Sequence, residues 1–140
     1  KVTGGLKVEV KDKDGNVKDT RQLKNLVVTA GLGYIASRMK EATADAMTHM
    51  AIGTGTTAAA AGQTALVTEA ARQSLTSTTV SSNTVEYVAA FAAGTGTGAI
   101  TEAGVLNAAS GGTMLCRTVF SVVNKGASDS MTITWTITIS

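Results

Sequence analysis

The chain is short of most residues that carry chemistry. Its 140 residues include one cysteine, no proline, one histidine and five aromatic side chains. A lone cysteine, Cys116, excludes an intrachain disulfide and gives no sign of an oxidising compartment. Tyr34, Tyr87, Phe91, Phe120 and Trp135 are too few and too scattered to form a platform on which bases stack. Charge is scarce as well. Lys, Arg, Asp and Glu make up 16% of the chain, against about 25% in a typical soluble domain. Eleven of those 22 charged residues fall within the first 25 positions, which leaves the rest of the surface to Thr, Ser, Gly and Ala.

The formal net charge is +2. Its local source, "KVEVKDKDGNVKDTRQLK", mixes both signs, so no basic stripe tracks a phosphate backbone. The charged, alternating N-terminus is unlike a signal peptide. The longest apolar run, "YVAAFAA", is far short of the ~20 residues a membrane helix requires. The reading is therefore of a protein with no direct nucleic-acid role and no membrane partner, assembled in the cytoplasm. The first residue is Lys1 rather than Met, so residues before it are left open.

What is present is alternation. In "LKVEVK", Leu6, Val8 and Val10 share one face, with Lys7, Glu9 and Lys11 on the other. Asp14-Gly15 supplies a hairpin turn that returns through Val17. "RQSLTSTTV" and "NTVEYVAAF" read as two strands joined by Ser81-Ser82-Asn83, followed by "AITEAGVLNA", "GGTMLCRTVFSVVNK" and "DSMTITWTITIS". In the last of these, Met131, Ile133, Trp135, Ile137 and Ile139 share a face and Thr132, Thr134, Thr136 and Thr138 the other, so Trp135 is the expected core anchor.

One helix is predicted over about residues 29–41, with Thr29 as N-cap and Leu32, Ile35 and Met39 at helical spacing. A second short helical turn is possible around "QTALVTEA". The expected architecture is a single all-β domain over residues 1–140: a jelly roll or β-sandwich of about eight antiparallel strands, with residues 1–25 as a charged N-terminal hairpin or arm.

Candidate chemistry is sparse. "GTGTTAAAAG" from Gly53 and "GTGTGA" from Gly94 loosely match a dinucleotide fingerprint. That fingerprint also needs a helix opening directly on the loop, and no Lys follows at Walker spacing, so these glycines read as connectors between strands. His49 has no neighbouring ligands from which to build a zinc site, and reads as a partly buried or interface histidine. Cys116 adjoins Arg117, yet neighbours in a strand point to opposite faces, so it reads as a buried structural cysteine. Glu69, Glu86 and Glu102 are isolated in sequence. Glu102 draws most interest because it sits between Ile100 and the turn-prone Ala103-Gly104. The reading is of a protein that is not an enzyme, with no cofactor, no metal and no small-molecule substrate.

Three stretches, "NLVVTAGLGYIASRM", "MTHMAIGTGTT…ALVTEAARQSLTS" and "ITEAGVLNAASGGTMLCRTVF…MTITWTITIS", resemble virion structural proteins of tailed bacteriophages. The resemblance spans roughly residues 25 to 140. Its most specific piece is the Glu-Ala-Gly-hydrophobic unit followed by Gly-Gly-Thr and the terminal Thr strand. Within that group the chain is most similar to a capsid cement, or decoration, protein with a jelly-roll fold. The alternative is a tail, tail-fibre or baseplate adaptor. The resemblance implies a place on the outer surface of the virion, the major capsid protein as partner, stapling of neighbouring capsid subunits and no catalytic residues. Such a role needs a rigid body, a neutral contact face and a reaching arm. Lys7, Lys11, Lys13, Lys18 and Arg21 are the candidate arm contacts, and self-association as a homodimer is the expected oligomeric state.

Overall fold

The computed structural model of the chain describes residues 1–40 and 44–140. Among these residues there are nine strands and one helix, in the order β1 (Val2–Lys11), β2 (Val17–Val27), α1 (Thr29–Lys40), β3 (His49–Gly53), β4 (Glu69–Ser74), β5 (Ser77–Ser81), β6 (Thr84–Phe91), β7 (Gly98–Leu106), β8 (Met114–Lys125) and β9 (Ser130–Ile139). All pairings are antiparallel, in the order β4-β3-β7-β8-β2-β1-β9-β6-β5.

This single sheet curls into the expected all-β sandwich. Strand β2 makes the corner. Its residues up to Asn25 pair with β1, whereas Leu26 and Val27 pair with Arg117 and Cys116 of β8. The halves face each other over one core. Leu6, Val8 and Val10 lie beside Met131, Ile133, Trp135 and Ile137, with Tyr87, Ala89 and Phe91 on the next strand. Met50, Ile52, Ile100, Ala103, Val105, Phe120 and Val123 close the core from the other half. Trp135 is fully buried, paired with Leu6 on one side and Tyr87 on the other. Its Nε1 has no hydrogen-bond partner among the described residues.

Three expectations change. The N-terminal hairpin forms, with Gly15 at φ +83° and Asp12 Oδ1 accepting the amides of Asp14 and Asn16. It is not an appended arm, however. β1 lies between β2 and β9, with Leu6, Val8 and Val10 facing the shared core. "RQSLTSTTV" divides into β4 and β5, which end opposite edges of the sheet. The chain crosses between them at Leu75 and Thr76, whose amides donate to Thr48 O and Val88 O. "QTALVTEA" is loop running into β4, not helix.

Helix α1 begins one residue earlier than its cap signal implies, since Leu32 N donates to Val28 O and Thr29 already lies within the helix. Position 41, the expected last residue, lies outside the described residues. Leu32 and Met39 face solvent, while Gly31 is buried and Tyr34 and Ile35 pack on the core. Gly31 permits this contact, because a Cβ there would lie 2.1 Å from Leu115 O.

Candidate interaction surface

Alternation along β1 and β9 sends their polar residues to the outer face of the first half-sheet. Thr132 is paired with Glu9, Thr134 with Lys7, Thr136 with Gly5 and Thr138 with Thr3. On the other side of β9 the same threonines pair with Ala90, Val88, Glu86 and Thr84. The four threonines are half-buried, so their methyl groups are covered by neighbours while the row stays within reach of a partner. Gly5 leaves a gap in this face. A groove of about 330 Å³ opens there, between Lys7 and Gln22 on one flank and Thr134 and Thr136 on the other.

The five candidate arm residues divide into two groups. Lys7 and Lys11 are about half exposed and bracket Glu9, at 3.7 and 3.5 Å. Lys13 is exposed in the turn between β1 and β2. Lys18 and Arg21 do internal work. Lys18 Nζ donates to Asp129 Oδ2 at 2.7 Å, tying the hairpin to the turn between β8 and β9. Arg21 pairs with Asp19 and also donates to Ser121 O and Val122 O. Its guanidinium thus bridges β2 to β8 beyond the point where their ladder stops. The turn is further fixed by buried Lys125, which donates to Ala92 O and Asp129 O.

The glycine loop that follows β3 has a definite internal use. Glu102 of β7 and Arg117 of β8 are both completely buried, on the outer face of the second half-sheet, with Nη2 2.7 Å from Oε2. Glu102 Oε1 accepts the amides of Gly55 and Thr68, and Oε2 accepts that of Val67 and two guanidinium donors. Arg117 Nη1 reaches Thr57 O and Gln63 Oε1. Burial pushes the Glu102 carboxyl up, but the amides of Thr68, Val67 and Gly55 together with Arg117 outweigh it and hold the group below its ordinary value. Residues 54–68 are thereby strapped over the sheet, with Leu66 in a second apolar cluster with Val28, Ala51, Leu106 and Met114. The Gly55 amide of this loop is thus satisfied by a carboxylate of the chain itself.

Glu86 is exposed on β6, and the other candidates are absorbed by the fold. Cys116 is fully buried and desolvation pushes its thiol up, away from the thiolate a nucleophile requires. His49 is half-buried, 2.8 Å from Thr48 Oγ1 and 3.4 Å from Ser74 Oγ. Glu69 pairs with Arg72. Among the described residues, no group of three His, Cys, Asp or Glu side chains could hold a metal, and no helix is long and apolar enough to cross a membrane.

Sequence reading singled out Glu102 but missed its partner. The available signal was a lone charge of opposite sign in each of two adjacent apolar strands, "AITEAGVL" and "TMLCRTVF", since buried charges occur only when paired. Compared with known protein families, curated proteins and solved structures, the chain matches none.

Proposed function

We propose that this chain is a phage capsid cement protein that binds the outer surface of the head and staples neighbouring major capsid subunits. The observation that carries the reading is the outer face built on β9. Its central row of Thr132, Thr134, Thr136 and Thr138 is neutral, so a partner seated on the row itself strands no ion there, while Lys7 and Glu9 on one side and Glu86 on the other flank the contact. An unpaired buried charge would cost several kcal/mol. The groove beside Gly5 offers a seat for a partner's side chain. Lys7 beside the row, and Lys11 and Lys13 toward the hairpin end, carry partly or fully exposed side chains that can meet acidic groups on a shell. The resemblance to tailed-phage virion proteins points to the same role.

In this reading the protein acts by contact rather than turnover, without a cofactor, as a homodimer assembled in the host cytoplasm and carried on the virion. Each contact is weak and many copies supply avidity. Quantitative gel densitometry of purified particles tests the proposal. A cement protein is present in hundreds of copies per particle and coats isolated expanded heads when added back. A handful of copies confined to tails would overturn it in favour of the tail adaptor.

A further inference from the structure

The sheet ends on two strands that pair on one side only, β4 and β5, and these edges are guarded differently. β4 carries Glu69 and Arg72, paired at 2.7 Å, and its ladder with β3 is broken by a register shift at Ile52/Gly53. Arg72 also donates to Ala108 O and Gly111 O, which holds the loop between β7 and β8 against this edge. Charges, bulges and covering loops are the usual devices that stop an edge strand from accepting another strand.

β5 has none of these. Its five residues are uncharged and exposed throughout, and they run in unbroken register with β6. Val80 is 72% exposed. In an antiparallel ladder, alternate residues turn their backbone N–H and C=O away from the existing partner, so β5 presents hydrogen-bonding groups to the open side.

We propose that β5 is a dimerisation edge, on which two copies of the chain pair antiparallel about a two-fold axis passing by Thr79. In that register Thr79 opposes its own counterpart, Thr78 opposes Val80 and Ser77 opposes Ser81 of the second copy. A second copy is the fitting occupant because "STTVS" is self-complementary under a two-fold. The pairs are Thr with Thr, Thr with Val and Ser with Ser, all compatible across strands, and no like charges meet. The half-sheets of the two copies would join into one, setting two threonine faces side by side. A five-residue pairing is much smaller than the roughly 1,600 Å² of a standard stable interface, so the dimer is weak and concentration-dependent. The inference deepens the self-association part of the reading above and rests on that part alone.

Sedimentation equilibrium over about 10–500 µM is expected to show a mass rising from monomer toward dimer. Val80→Lys puts a charge on the edge at an already exposed position, and is expected to weaken association at least tenfold while circular dichroism and thermal midpoint stay unchanged. Thr79→Cys is expected to form a disulfide dimer on mild oxidation, whereas Ala70→Cys on β4 is not. Buried Cys116 does not compete. A wild-type chain that stays monomeric throughout, a Val80→Lys variant that associates like wild type, or Ala70→Cys crosslinking as readily as Thr79→Cys would overturn the proposal. Shell binding is scored separately. A wild-type dimer that ignores heads defeats the cement reading and leaves the edge pairing standing, and a monomer that coats them does the reverse.

Discussion

Glu102 and Arg117 meet at 2.7 Å with neither side chain exposed, and between them they take up polar groups from five residues of the glycine loop, Gly55, Thr57, Gln63, Val67 and Thr68. An isolated buried ion pair is often no better than an apolar pair of the same shape. This one differs because the carboxylate is also the acceptor for three backbone amides. The pair therefore fixes the conformation of residues 54–68, and through them the packing of Leu66 with Ala51 and Met114.

Glu102→Gln keeps the shape and removes the charge, leaving Arg117 buried without a counter-ion. Stability to chemical denaturation should fall by about 3–5 kcal/mol. The double change Glu102→Leu with Arg117→Met should not recover it, since the amides of Gly55, Val67 and Thr68 then lose their acceptor at about 1–3 kcal/mol each. The pH dependence carries a sign. A carboxyl held below its ordinary 4.5 contributes stability that is complete above the unfolded value and is lost as pH falls through the folded one. Acid unfolding of wild type should therefore steepen below the ordinary value of 4.5, and Glu102→Gln should flatten it. A double variant as stable as wild type would show that the loop amides do not depend on Glu102.

The loop's glycines separate into those the carboxylate requires and those it does not. A Cβ on Gly55 would lie 2.5 Å from Glu102 Oε1 and one on Gly53 2.2 Å from Thr68 O, whereas Gly62 has open space. Gly55→Ala and Gly53→Ala should each lower the denaturation midpoint, at a cost of about 1–3 kcal/mol from overpacking. Gly62→Ala should be neutral, or stabilising by about 0.4–1 kcal/mol through the unfolded chain. Equal effects at all three positions would mean that the carboxylate does not set the close approach.

Much of the sandwich was legible in the alternation of β1, β6 and β9, because a period of two with one apolar face permits only one side to be buried. Trp135 was placed by that rule alone. The division of "RQSLTSTTV" was not legible, since neither sheet edge buries enough apolar surface there to leave a pattern. The charged hairpin misled for a related reason. Its Lys and Glu residues lie on the outer face of a central strand, and composition reports a surface without reporting how deep in the strand order it lies. The Glu102 cradle needed the register of β7 against β8, which sets Gly104 opposite Arg117 with Glu102 two residues away along β7.

Helix α1 offers a contrast in which propensity and packing oppose each other. Alanine is favoured over glycine in a helix by about 1 kcal/mol. At Gly33, where nothing lies within 4 Å, Gly33→Ala should gain close to that amount. At Gly31 the new Cβ would meet Leu115 O at 2.1 Å, so Gly31→Ala should destabilise despite the better propensity. Differential scanning calorimetry of the two variants should move the midpoint in opposite directions, and a gain at both sites would show that the helix does not rest on β8 through Gly31.

The five candidate contact residues of the hairpin should separate by what each touches. Lys18 and Asp129 form a bond across the ends of β2 and the turn after β8, and Asp129 is held below the ordinary carboxylate range first by Lys18 and then by the Gly126 amide. That stability is present above the unfolded carboxylate value and disappears as pH falls through the folded one. Lys18→Ala should therefore lower the thermal midpoint near neutral pH and change little under acid, where Asp129 is protonated in both proteins. Lys13 is exposed in the turn, so Lys13→Glu should leave the midpoint in place while weakening attachment to heads, with the loss growing as salt is reduced. Thermal melts at two pH values, set beside head binding at two salt concentrations, distinguish the roles. If Lys13→Glu bound heads as well as wild type at low salt, the hairpin tip would be removed from the contact surface.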